Sequence, residues 1–61
     1  MELSELTGLE VSEGKCVIRQ NGYSSRIVEN DGVPYIGTSD FDMRRVKLRV
    51  KDDIIIEAYL G

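Results

Sequence analysis

Residues 45–60 read RVKLRVKDDIIIEAYL, and this stretch decides the fold. Aliphatic and basic side chains alternate over residues 45–50, which is the period of a strand with one buried face. Val46, Leu48 and Val50 form the face that we expect to be buried. The basic side chains between them point to the opposite face, so the strand predicts a sheet that is covered on one side only.

Three further segments place this strand in a sheet. Lys51-Asp52-Asp53 reads as a short turn before a second strand, Ile54 to Leu60, so these two strands should pair antiparallel. Arg26 to Glu29 predicts another strand, which the turn signal Asn30-Asp31-Gly32 closes. A long connection separates that strand from Arg45, and we therefore expect the two to lie parallel.

The segment from Ser12 to Gly22 is open to two interpretations. As a helix it has Ser12 as N-cap and Asn21-Gly22 as its C-terminal stop. As a hairpin it would turn at Asn21-Gly22, between Lys15–Gln20 and Tyr23–Val28. The cap residues and the break in alternation at residues 16–18 favour a short helix.

Together these elements predict an α+β fold in which one short helix packs on a small mixed sheet. The chain of 61 residues is expected to form one domain, with residues 1–11 as a lead-in that packs a leucine or two and residues 12–61 as the core. Pro34 and Gly37 disfavour a central strand, so the region before Thr38 is expected to be an extended, exposed loop.

Length and composition restrict the function. A chain of 61 residues has little room for a buried catalytic cleft, which favours a binding module over an enzyme. The net charge of −3 disfavours non-specific binding to nucleic acid. Five cations do lie within residues 44–51, and we interpret them as a solvated strand face with internal ion pairs.

Cysteine and histidine usage excludes several chemistries. The chain has one cysteine and no histidine, which rules out an internal disulfide, a Cys/His zinc site and a histidine-based triad. Cys16 is expected to be a small buried apolar side chain. No signal-peptide or transmembrane pattern is present, and neither a metal nor a cofactor is predicted. The compartment is left open.

The ordered set of motifs from Ser12 to Gly61 resembles the potato type I serine protease inhibitors, the group that includes eglin-like proteins. It resembles their short bacterial relatives more closely still. The resemblance also favours the helix over the hairpin for residues 12–21. The matching residues are Gly22, Arg26-Ile27-Val28, Asp31-Gly32, Thr38-Ser39-Asp40-Phe41, Arg45-Val46-Lys47-Leu48 and Gly61.

The resemblance implies an inhibitor that presents an exposed loop, Gly37 to Phe41, to a protease as an extended, substrate-like strand. By position, Thr38 precedes the residue that fills the specificity pocket, Ser39 fills it, and Asp40 lies just after the scissile bond, followed by Phe41. Loop support is implied for two basic residues of the next strand and for the terminal glycine. These are Arg45, Lys47 and Gly61.

Elementary geometry is compatible with this support. Arg45 and Lys47 are two residues apart on a strand, so they share a face and could both reach Asp40 and Thr38 with charge-assisted hydrogen bonds. The expected partner is a serine protease of the subtilisin, elastase or chymotrypsin type. Because Ser39 is small and polar, its pocket should be small or permissive.

A second hypothesis is a non-inhibitory interaction module on the same fold, which would use a sheet edge or the basic strand face. Neither nucleic acid nor a membrane is an expected partner. An exposed sheet edge in so small a domain favours pairing with a second copy, so we also consider a homodimer.

Overall fold

The structure is a computed structural model that describes residues 2–35 and 42–61. It has one α-helix and a four-stranded mixed sheet, so the predicted α+β class is confirmed. In chain order the elements are a 3-10 helix at Leu3–Leu6, α1 at Val11–Gln20, β1 at Ser24–Asn30, β2 at Val33–Pro34, β3 at Arg45–Lys51 and β4 at Ile54–Leu60.

The strand order is β2-β1-β3-β4. β1 and β3 run parallel, as their long connection predicts, with Ser24 beside Arg45 and Ile27 beside Leu48. β3 and β4 run antiparallel. The turn between them is tight because Asp52 and Asp53 adopt φ angles of 53° and 64°, the left-handed pair that a type I′ hairpin needs.

The hydrophobic core lies between the sheet and the elements that precede it. The alternation along β3 is confirmed, since Val46, Leu48 and Val50 are all at most 1% exposed. β4 contributes Ile55 and α1 contributes Ile18, both equally buried. Removal of these aliphatic surfaces from water is the main term that stabilises so small a domain.

The lead-in segment belongs to this core more fully than its weak pattern indicated. Leu6 is completely buried, and Leu3 and Leu9 pack against the cluster. The backbone of Gly8 and Leu9 also bonds to Ile55, at 2.8 and 2.9 Å. The segment therefore covers both the apolar face and part of the edge of β4.

The helix prediction is confirmed and the hairpin alternative is wrong. The expected stop is present, because Asn21 is the C-cap and Gly22 has a φ of 82°. The expected N-cap is wrong, however. The helix begins at Val11, its N-cap is Glu10, and no side chain caps it. Instead the Val11 N–H donates to the carbonyl of Asp53, at 2.9 Å, so a tertiary contact takes the place of the cap.

The expected burial of Cys16 is also wrong, since its side chain is exposed. α1 turns Gly14 and Ile18 toward the sheet. At 100° per residue, Cys16 lies on the far side of the helix from those two positions. Its sulfur is 3.7 Å from Nε2 of Gln20 on the same exposed face.

The region after Gly32 differs from the expected loop in one respect. Val33 and Pro34 pair with Asn30 and Glu29 as a two-residue strand at the edge of the sheet. Both are exposed, and an edge position is compatible with a proline because no neighbour requires its missing N–H.

Candidate functional site

The predicted reactive-site loop, Gly37 to Phe41, lies outside the described residues. The structure describes the chain on either side of the loop, up to Tyr35 and from Asp42 onwards. The candidate site is therefore characterised through its two anchors and through the strand that was expected to support it.

The N-terminal anchor is made by Tyr35. Its backbone N–H donates to the carbonyl of Val28 in β1, at 2.9 Å. Its hydroxyl accepts a hydrogen bond from Nδ2 of Asn30, at 3.3 Å. Backbone and side chain thus both attach this residue to β1.

The C-terminal anchor is a turn built on Asp42. Its Oδ1 accepts a hydrogen bond from the Arg44 N–H at 2.8 Å, and its carbonyl accepts one from the Arg45 N–H at 3.2 Å. An aspartate side chain that accepts a hydrogen bond from the backbone N–H two residues later forms an Asx-turn, which stabilises a reversal of the chain by a local bond alone. The Arg44 carbonyl then accepts the backbone N–H of Ser24 at 2.8 Å and its hydroxyl at 3.3 Å.

Arg45 joins this turn to the sheet. Its side chain is only 16% exposed, and Nη2 lies 3.8 Å from Oδ2 of Asp42. Partial burial restricts the guanidinium and strengthens its attraction to a carboxylate, compared with a pair in bulk water. Sequence reasoning named Arg45 as a loop support but did not assign Asp42 to it. The available signal was that Asp42 lies three residues before Arg45, the first residue of the strand.

The three residues predicted to support the loop are neighbours. The carbonyl of Arg45 accepts the Gly61 N–H at 3.1 Å. Lys47 Nζ would lie 3.5 Å from a Cβ placed on Gly61. Gly61 is buried, so its missing side chain leaves room for the lysine stem at the end of β4. Their common location is a property of the fold, and their role toward the loop remains a prediction.

The third basic residue on this face has a different set of partners. Arg49 Nη2 lies 3.0 Å from Oε2 of Glu29, and Nη1 lies 3.2 Å from Oε2 of Glu57. The three side chains come from β1, β3 and β4, which the register places side by side. The hydrogen bond and the charge of Glu29, followed by those of Glu57, raise the pKa of Arg49 and so favour its charged form. For Arg49 the interpretation as an internal ion pair is confirmed.

The described residues offer neither a metal-binding cluster nor a membrane-spanning helix. Within residues 2–35 and 42–61, no three acidic or cysteine side chains are grouped so that they could hold a metal ion. In the same part of the chain, no helix combines the length and the apolar character that crossing a bilayer requires.

Comparison of the chain with protein families, with curated proteins and with solved structures found no match. The resemblance to the potato type I inhibitors therefore remains a hypothesis that is based on the motifs and on their order in the chain.

Proposed function

We propose that this protein inhibits a serine protease by presenting residues 37–41 as a substrate-like strand. The observation that carries the proposal is that the chain is fastened on both sides of that segment, at Tyr35 and at Asp42, to the same sheet. An inhibitory loop needs such fastening, because a free loop would lose more conformational entropy on binding and would be cleaved as an ordinary substrate.

The distance between the anchors is short compared with the length of chain that joins them. Tyr35 is bonded beside Val28 and Arg44 beside Ser24, on opposite sides of β1. The anchors are four residues apart along β1 and two strand spacings apart across the sheet, which together give a separation of about 16 Å. Nine residue steps could reach about 30 Å when extended. The chain is thus much longer than the span, as presentation to an active site requires.

The charges at the base of the segment support the role of Arg45. It lies against Asp42 and on the strand face that it shares with Lys47. Under the proposal, these two cations hold Asp40 and the Thr38 hydroxyl from below. A leaving group held in this way stays next to the acyl-enzyme, so that religation competes with hydrolysis.

The test is titration of subtilisin, elastase and chymotrypsin with the wild-type chain and with variants at Ser39. We expect slow, tight inhibition. Ser39→Leu should tighten the binding to an apolar pocket by roughly 10- to 100-fold, because burial of a leucine side chain contributes about 1.5–3 kcal/mol. Full protease activity at micromolar inhibitor, or rapid cleavage between Ser39 and Asp40 without trapping, would overturn the proposal.

A second pair of variants tests the brace. Arg45→Ala should weaken inhibition and raise the rate of loop cleavage, whereas Arg44→Ala is the matched control. Arg44 is an adjacent exposed arginine, and its described hydrogen bonds use only the backbone. Circular dichroism should show that both variants are folded. Equal effects of the two substitutions would contradict a specific role for Arg45.

The runner-up function is a non-inhibitory interaction module on the same fold. The partners of Arg49 reduce the free positive charge of the β3 face, which disfavours that face as the docking surface. The observation that favours the module is an apolar, open stretch of β4. The protease titration distinguishes the two functions, because the module leaves the enzymes fully active.

A further inference from the structure

The two edges of the sheet are protected to different degrees. At one edge, β2 is only two residues long, borders Glu29 and Asn30 of β1, and contains Pro34, which has no N–H to offer a neighbouring strand. Short length and proline are both common devices against edge-to-edge pairing. The β4 edge has seven residues and no proline.

The lead-in segment covers only the beginning of the β4 edge. Gly8 donates to the Ile55 carbonyl at 2.8 Å, the Ile55 N–H donates to Leu9 at 2.9 Å, and Val11 donates to Asp53 at 2.9 Å. These bonds occupy the outward backbone groups as far as Ile55. Ala58 to Leu60 lie beyond the segment.

The register identifies the backbone groups that point away from β3. The Gly61 N–H donates to the Arg45 carbonyl. Tyr59, two residues before Gly61, lies opposite Lys47. Because hydrogen-bonded pairs alternate along an antiparallel ladder, Tyr59 and Gly61 face β3 with their backbone groups. Ala58 and Leu60 therefore direct two N–H groups and two carbonyls outward.

The side chains around these groups are apolar and exposed. Tyr59 is 40% exposed, Leu60 42% and Ile56 43%. The one charged residue in β4 is Glu57, and its carboxylate is held 3.2 Å from Arg49. No lysine protects this edge, and the charge that is present is already paired.

We propose that β4 pairs antiparallel with β4 of a second copy of this chain, with Tyr59 opposite Tyr59 of that copy. This register places Ala58 opposite Leu60 in both directions, so all four outward groups of each copy form hydrogen bonds with the other. It joins the two sheets into one continuous sheet across a two-fold axis.

The side chains fit this register. A small residue, Ala58, faces a large one, Leu60, and no two charges of the same sign face each other. The tyrosines meet as a non-hydrogen-bonded pair, in which Cα atoms approach to about 4.5 Å and aromatic rings can stack. An unrelated peptide strand could use the same edge, but a second copy is the occupant for which the chain itself supplies both complementary halves.

The interface is small, so the dimer should be weak. Three residues of each strand carry it, well below the size of a standard interface, and we expect a dissociation constant on the order of 0.1–1 mM. The net charge of −3 opposes association weakly at physiological salt, where charges are screened beyond about 8 Å.

The test is sedimentation equilibrium of the full chain at concentrations from about 0.05 to 2 mM. This range is on the order of the dissociation constant that we expect for so small an interface. The weight-average mass should rise toward twice that of the monomer. Amide exchange at Ala58 and Leu60 should slow with concentration, while exchange at Val33 should not. A wild-type chain that stays monomeric throughout, with concentration-independent exchange, would overturn the proposal.

Charge variants at Tyr59 test the register. Tyr59→Lys and Tyr59→Glu should each weaken self-association at least tenfold, because position 59 meets its own copy. An equimolar mixture of the two should form a heterodimer. Tyr59→Glu also places a carboxylate opposite Lys47, which favours its folding. Val33→Lys, at the exposed β2 edge, is the matched control. A mixture that stays monomeric, or a control that dissociates equally, contradicts the register.

Discussion

The contact between Gly14 and Ile55 provides a sharp test of the helix–sheet packing. Gly14 lies within α1 and is buried. A Cβ added there would run into Cδ1 of Ile55, which is itself completely buried. The absence of a side chain at position 14 therefore sets how closely α1 approaches β4.

Two opposing effects determine the result of Gly14→Ala. Alanine favours a helix over glycine by about 1 kcal/mol. Overpacking of a filled core costs about 1–3 kcal/mol. Because Ile55 lies opposite Val50 and belongs to the same buried cluster, relaxation around it is restricted. We expect a net loss of about 0–2 kcal/mol in the free energy of unfolding.

Ile55→Val removes Cδ1 alone and should cost about 0.5–1.5 kcal/mol in the wild-type background. In the Ile55→Val background, Gly14→Ala should become stabilising by about 1 kcal/mol, because only the helix preference remains. The coupling energy is thus about 1–3 kcal/mol.

Urea unfolding followed by far-ultraviolet circular dichroism measures the four proteins of this cycle. Ser12→Ala serves as the control, since Ser12 is an exposed helix position and should give the same small gain of about 0.3–0.5 kcal/mol in both backgrounds. If Gly14→Ala also gave equal shifts in both backgrounds, the reasoning from the Ile55 contact would be refuted.

Two further predictions concern the turns. Asp53→Gly should stabilise the fold by about 0.5–1 kcal/mol, because glycine adopts the observed φ of 64° without the strain of a Cβ. A lower urea midpoint would contradict this. Asp31→Ala should destabilise by about 1–2 kcal/mol, since Oδ1 of Asp31 accepts the Asp52 N–H at 2.7 Å and alanine adopts the observed φ of 53° less readily than aspartate. Asp31→Asn keeps that acceptor and should change stability little, so equal losses in both variants would show that the bond is unimportant.

Local pattern predicts much of the fold here because the relevant interactions repeat along the chain. Alternation over residues 45–50 identifies both the strand and its buried face, since strand side chains alternate with a period of two. The Asn21-Gly22 stop identifies where α1 ends, because glycine adopts the left-handed conformation that terminates a helix. The parallel arrangement of β1 and β3 follows from the length of their connection.

Contacts between distant segments explain the incorrect expectations. Ser12 has the chemistry of an N-cap, but the helix begins at Val11, two residues earlier than a Ser12 cap would place it, where the Val11 N–H bonds to Asp53. Cys16 has a small apolar side chain of the kind that is often buried. It is exposed because α1 packs Gly14 and Ile18 against the sheet and so turns Cys16 away from it. Neither the start of α1 nor the exposure of Cys16 is determined by residues adjacent in the sequence.

The sequence by itself determined the amphipathic β3 with its buried face and its hairpin partner β4, and it favoured a single helix over a hairpin for residues 12–21. It also supplied the motifs on which the proposed inhibitory loop is based. Only the tertiary structure decided that Arg49 bonds Glu29 and Glu57, and that residues 8–11 cover the beginning of the β4 edge. The physical reason is that periodicity is a local property, whereas register and edge coverage depend on which distant strands the core brings together.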